Sequence, residues 1–141
     1  MKIVAAVIFG LALYGAGFAQ GRIVTAAQAN GTYRSGPNEI KILALGKNKL
    51  RIQMDLAWEY KTPEPGANVG TSSGEATIEN DVATFRPKDT EDCTITIKFL
   101  SGNRIRVSED HMLNCGWGFN VNSTGTYRKV RAGKPKFDPD R

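Results

Sequence analysis

The chain has 141 residues, a formal net charge of +5, two cysteines and one histidine. This length holds one domain with a modest core. Its few metal-ligating residues speak against a metal centre. Its basic residues are mostly interleaved with acids along the sequence, which reads as a mixed, soluble surface with no nucleic-acid-binding arm.

Residues 1–19 read as a secretory signal peptide. Lys2 gives a short positive start, Ile3 to Leu13 is an almost unbroken apolar run, and Gly17-Phe18-Ala19 supplies small residues for cleavage after Ala19. The apolar run is shorter than the roughly 20 residues of a spanning helix. The expected mature chain is therefore periplasmic or secreted, without a membrane span. Loss of Lys2 takes its charge from +5 to +4.

Residues 20–30 form a lead-in. Gly31-Thr32-Tyr33-Arg34 starts a short strand, Ser35-Gly36-Pro37-Asn38 is a turn by composition, Glu39 to Leu45 is a second strand, and Gly46-Lys47-Asn48-Lys49 turns the chain again. The strongest periodicity follows. Leu50, Ile52, Met54, Leu56, Trp58 and Tyr60 alternate with Arg51, Gln53, Asp55, Ala57 and Glu59. A period of two predicts a strand with one buried and one wet face. Lys61 to Ser73, rich in Pro, Gly, Ser and Thr, reads as the longest loop.

Glu75 to Glu79 and Val82 to Arg86 form a compact hairpin across Asn80-Asp81. Pro87 to Asp92 is a polar loop. Cys93, Ile95, Ile97 and Phe99 alternate with polar residues, Ser101-Gly102-Asn103 turns, and Ile105 and Val107 continue the alternation. Glu109 to Gly118 is a connection leading to a last strand, Gly125-Thr126-Tyr127-Arg128. Residues 132–141 form a tail, expected to be extended and mobile. About eight short strands joined by short turns predict an all-β domain over residues 31–131. An antiparallel up-and-down barrel is the first choice, and a two-sheet β-sandwich the alternative.

Two cysteines in an exported chain pair most simply with each other. A Cys93–Cys115 disulfide would contribute on the order of 3 kcal/mol by loop closure. The tetrapeptide GTYR occurs at 31–34 and again at 125–128. In a closed barrel these strands lie side by side, with Tyr33 and Tyr127 plugging one end.

On these residues the chain resembles a small calycin, the barrel class that includes the lipocalins. Gly31-Thr32-Tyr33 stands where a lipocalin has G-x-W, and the resemblance gives Arg128 the part of the arginine that packs on that tryptophan. Tyrosine for tryptophan, a shorter chain and no evident helix after the barrel are departures from the lipocalin pattern. The overall plan is also similar to the periplasmic barrels that inhibit lysozymes, without an inhibitory motif to carry across.

The functional expectation is a monomeric, non-catalytic binding protein of the cell envelope, with no cofactor, metal or nucleic acid. It would act through loops 61–73, 87–92 and 109–119 on a protein partner, a hydrolase inhibitor being one form. The candidate binding residues are Trp117, Phe119, His111 and Trp58. Gly116-Trp117-Gly118-Phe119 beside a disulfide can present a rigid aromatic, although a lid on the barrel end, packed on the disulfide, is the more ordinary role for Trp117. The alternatives are a carrier of a small apolar ligand, lined by Leu50, Ile52, Met54, Leu56 and the Ile95–Phe99 face, and an enzyme with its site in the 109–119 loop around His111. Asn30-Gly31-Thr32 and Asn122-Ser123-Thr124 fit the N-glycosylation pattern. The basic end from Arg128 to Lys136 reads as a solvated tail, since stacking aromatics are lacking.

Overall fold

The computed structural model describes residues 21–88, 90, 92–110 and 115–139. The leader reading and His111 lie outside these residues. One helical turn, α1 (Ala26–Ala29), precedes eight strands: β1 (Gly31–Ser35), β2 (Asn38–Gly46), β3 (Lys49–Tyr60), β4 (Gly66–Glu79), β5 (Val82–Phe85), β6 (Thr94–Leu100), β7 (Arg104–Asp110) and β8 (Gly125–Ala132). Each strand pairs with the next, and β8 returns to β1, so the sheet is a closed antiparallel barrel. The sandwich alternative is ruled out by that last pairing. No helix among the described residues is long and apolar enough to cross a membrane.

The alternation in the sequence becomes the inside and outside of this barrel. Ile40, Ile42, Leu50, Ile52, Met54, Phe85, Ile95, Ile97 and Ile105 are fully buried and fill the interior. β4 departs most from the sequence reading. It begins at Gly66 and pairs with β3 over its whole length, from Tyr60↔Gly66 to Lys49↔Thr77. Much of the expected 61–73 loop is therefore ladder. Its positions facing the apolar row of β3 are Asn68, Gly70, Ser72, Gly74 and Ala76. Side chains from elsewhere take the space these small residues leave. A Cβ on Gly70 would lie 2.7 Å from the Trp117 ring, and one on Gly74 3.3 Å from Phe85.

The two GTYR strands are adjacent, as the repeat predicts, but their tyrosines seal opposite ends of the barrel. Tyr33 Oη donates to the carbonyls of Ala29 at 2.9 Å and Gln28 at 3.1 Å, so α1 stoppers the first end. Tyr127 Oη donates to the carbonyl of Ser123 at 2.8 Å, at the other end. Each hydroxyl thus reaches back four residues, as in a tyrosine corner. The preceding glycines share a conformation, with φ of +156° at Gly31 and +155° at Gly125. At Gly31 a Cβ would approach the Arg131 carbonyl oxygen to 2.7 Å, so the β1–β8 seam needs glycine there.

The lead-in is ordered by a capping box. Thr25 Oγ1 accepts from Gln28 N–H, and Gln28 Oε1 accepts from Thr25 N–H. The cation over the Tyr33 ring is Lys129, at 5.3 Å, not Arg128. A bulge between Thr32 and Tyr33 shifts the register and turns Lys129 toward that end, where its ammonium also donates to the Gln28 carbonyl at 2.7 Å. Burial holds Lys129 below the usual lysine value. Arg128 is exposed on the outer wall.

The tail beyond β8 is anchored along its described part. Asp138 N–H donates to Gln53 Oε1 at 3.1 Å, and Asp138 Oδ2 accepts from Gln53 at 3.2 Å and Lys41 at 3.3 Å. Arg51 stacks over Phe137 at 4.5 Å. The tail therefore straps the outside of β2 and β3, and it buries Gln53 although that residue points away from the core.

Candidate functional site

Four connections emerge at the Tyr127 end of the barrel: β1–β2, β3–β4, β5–β6 and β7–β8. All three loops expected to carry function belong to these connections or to the strands beside them. Cys93, just before β6, and Cys115, in the β7–β8 connection, form a disulfide that joins two of them. Both cysteines are buried. Such a bond is compatible with an oxidising, exported location.

Glu109 organises this end. It follows Ile105 and Val107 on the inward parity of β7, so the alternation carries a carboxylate to the barrel mouth. Its Oε1 accepts a hydrogen bond from Trp117 Nε1 at 2.8 Å and another from the backbone N–H of Ser123. Two donors on one carboxylate oxygen make charge-assisted bonds. Together they hold Trp117 and Ser123 at the mouth.

Asn38, the first residue of β2, completes the seal. Its Nδ2 donates to the Asn122 carbonyl at 3.2 Å and to Tyr127 Oη at 3.3 Å, while its Oδ1 accepts from Ala57 N–H at 2.9 Å. Burial pushes Tyr127 up to about 12, against the opposing hydrogen bond from Asn38 and with a smaller contribution from the Glu109 charge. The second oxygen of Glu109 and the hydroxyl of Ser123 are buried without a partner among the described residues.

Trp117 is half-buried and packs against the core at Gly70. The next residues are stitched to β4: Gly118 N–H donates to the Val69 carbonyl at 3.1 Å, and Asn68 Nδ2 donates to the Phe119 carbonyl at 3.0 Å. Phe119 is left 77% exposed. The β3–β4 hairpin projects beyond the other strands, so Trp58, on the apolar face of β3, is 39% exposed and stacks beside Tyr60 with ring centroids 5.9 Å apart. Val69, on the opposite face of the hairpin, is 62% exposed. The structure thus brings Trp58, Trp117 and Phe119 to one end. It makes Trp117 a packed lid and Phe119 the projecting group.

The sequence carried one signal for Glu109, a charge at an inward strand position. Asn38, Gly70 and Ser123 had none, because their roles depend on distant partners. Among the described residues, no three His, Cys, Asp or Glu side chains gather as a metal site. The glycosylation pattern at Asn30 is occupied from within, since its buried side chain accepts from Ala44 N–H at 2.7 Å.

The lid also gives a direct test. Gly70→Ala sets a methyl within 2.7 Å of the Trp117 ring. Overpacking of this kind costs about 1–3 kcal/mol. The expected result is a red-shifted tryptophan emission and a lowered unfolding midpoint, with the far-ultraviolet β signal retained. Emission identical to the parent protein would place the indole elsewhere.

No family model matches the chain, no curated protein matches it, and no solved structure matches it.

Proposed function

We propose that the chain is a non-catalytic binding protein of the cell envelope, engaging a protein partner through the rim at its disulfide-stapled end. Inhibition of a hydrolase is one form of this role. The observation that carries the reading is the exposure of Trp58, Val69 and Phe119 on backbone held by the β3–β4 ladder and its hydrogen bonds to residues 118 and 119. Large apolar groups held rigid in this way are where binding energy concentrates, because little side-chain and loop entropy remains to be lost.

Two features favour a rim over the other sites considered. The interior positions expected to line a carrier cavity, Leu50, Ile52, Met54, Leu56 and Ile95 to Phe99, are taken up mainly by packed aliphatic and aromatic side chains. Of the two acids beside a site in the 109–119 loop, Glu109 and Asp110, Glu109 already has its Oε1 engaged by two structural donors.

Trp117→Ala is a poor probe, since it removes a lid and a buried hydrogen bond together. The better variant is Phe119→Ala with Trp58→Ala. Photo-crosslinking from position 119 in the producing cells identifies the partner, and the purified pair is then titrated. The expected result is affinity weakened by roughly 30-fold, as for a lost hot spot of about 2 kcal/mol, with an unchanged melting temperature. Unchanged affinity would remove the rim from the interface.

A further inference from the structure

The outer wall of β6, β7 and β8, with the adjoining edge of β1, concentrates positive charge. Its outward positions include Arg34 on β1, Lys98 on β6, Arg104 and Arg106 on β7, and Arg128 on β8, all exposed. They are distant in sequence and adjacent in register. Arg128 faces Arg34 on one side and Arg104 on the other, and Lys98 faces Arg106. Directly opposed residues in neighbouring strands have Cβ atoms about 5 Å apart, where like charges destabilise a sheet. Three such pairs stand side by side.

The opposite wall shows that this arrangement is not forced on the fold. There Arg51 faces Glu75 across β3 and β4. The outward acids Glu39, Asp55, Glu75 and Glu79 also lie on β2, β3 and β4, whereas the strands of the basic wall carry one outward acid, Asp110, at the far end of β7. On the basic wall Arg34 has one acidic partner, Glu39, at 2.5 Å. Arg104 donates to the Ser101 carbonyl at 3.3 Å. Lys98, Arg106 and Arg128 form no ion pair with the described residues.

We infer that this wall is a binding surface for an anionic polysaccharide, a chain bearing sulfate, phosphate or carboxylate groups. An external anion placed between opposed cations turns the repulsion of each pair into attraction for the ligand. Arginine suits the task because its planar fork meets sulfate, phosphate or carboxylate oxygens in pairs. Between the cations the outward residues are Thr96, Ser108 and Thr126, whose hydroxyls can bond sugar and anion oxygens. The four strands present about 14 Å of such wall across the strand direction, which suits a linear chain. No aromatic residue occupies an outward position of β6, β7 or β8. The wall therefore lacks both the stacking platforms used for single-stranded nucleic acid and the tryptophan or tyrosine anchors of a membrane interface. It is separate from the rim of the proposed partner site.

The test uses the exported chain with its disulfide intact, heparin and dextran sulfate as polyanions, and neutral dextran as the control. Arg104→Thr, Arg106→Thr and Arg128→Thr are combined in one variant. A second variant with the same net charge combines Lys61→Thr, Lys88→Thr and Lys134→Thr, all exposed and outside the strands of the wall. The parent protein is expected to bind both polyanions, and not neutral dextran, with an affinity that falls steeply with salt as counterions are released. The wall variant is expected to lose on the order of tenfold or more while melting no lower than the parent, since like charges have been removed. The lysine variant and Phe119→Ala should bind nearly as the parent does. Equal loss in the wall and lysine variants would reduce the effect to net charge and overturn the inference. So would failure of the parent to bind either polyanion, or tighter binding to phosphatidylglycerol vesicles or a single-stranded oligonucleotide.

Discussion

Replacing both Cys93 and Cys115 by alanine is expected to lower stability by about 3 kcal/mol, and the melting temperature by on the order of 10 °C. The bond closes a loop with a sequence separation of 22. In the unfolded chain that closure removes conformational freedom which the variant recovers. The native barrel should survive the change. The β6–β7 and β7–β8 ladders do not pass through either cysteine, and Glu109 and Asn38 still hold the connection by hydrogen bonds. A loss of this size is a large share of the 5–15 kcal/mol typical of a small domain. The variant should therefore be folded at room temperature and marginal when warm. Urea unfolding of the oxidised parent, the reduced parent and the double variant checks it. The last two should agree with each other and fall below the first. If all three unfold together, the hydrogen bonds alone position the connection and the bond constrains nothing.

Stability should also fall steeply above pH 10. Tyr127 is pushed up to about 12 by burial, and burial raises Tyr33 as well. In the unfolded chain both phenols ionise near pH 10. A folded pKa above the unfolded one means that the fold favours the neutral phenol. The contribution is fully present below pH 10 and is lost as pH rises toward the folded value. For Tyr127 the slope is about 1.4 kcal/mol per pH unit, hence about 3 kcal/mol between pH 10 and 12; Tyr33 acts in the same direction. Urea midpoints across this range should decline, and Tyr127→Phe should flatten the decline. The same variant lowers stability near neutrality by about 1–3 kcal/mol, because the Ser123 carbonyl loses its donor. Phenolate absorbance that develops fully near pH 10, before any unfolding, would show that these hydroxyls are not sealed.

The barrel was legible in the sequence wherever burial and composition agreed. The alternation from Leu50 through Leu56 and from Cys93 through Val107 marks inward rows directly, and the repeated GTYR marks the strands that meet at closure. Legibility failed where a residue's role is set by a distant neighbour. Gly70, Ser72 and Gly74 read as loop, yet they are strand residues kept small for Trp117 and Phe85. The bulge beside Tyr33 that selects Lys129 over Arg128 leaves no compositional trace. The strapping of the tail depends on Gln53, a residue the alternation assigns to solvent. The capping box at Thr25 and Gln28 was readable as TAAQ, but one helical turn has no period to detect. At the candidate site the aromatic residues stood out by type, and only the fold showed that Trp117 is a lid while Phe119 projects. The basic wall was invisible for a further reason. Along the chain Lys98 and Arg106 stand singly between apolar inward residues, and only the register of four strands stacks the wall cations together.

The β1–β8 seam also sets the order in which the molecule can be completed. Thr32 pairs with Arg131, the first strand with the last. Until residues 125–132 are available, β1 and β7 each present an open edge able to pair with another chain, and contacts of such long sequence range form late. A growing chain therefore cannot finish its barrel before its C-terminal strand is released. That delay leaves the edges of β1 and β7 open until the last strand arrives. It also makes the loss of the last strand an invitation to polymerise.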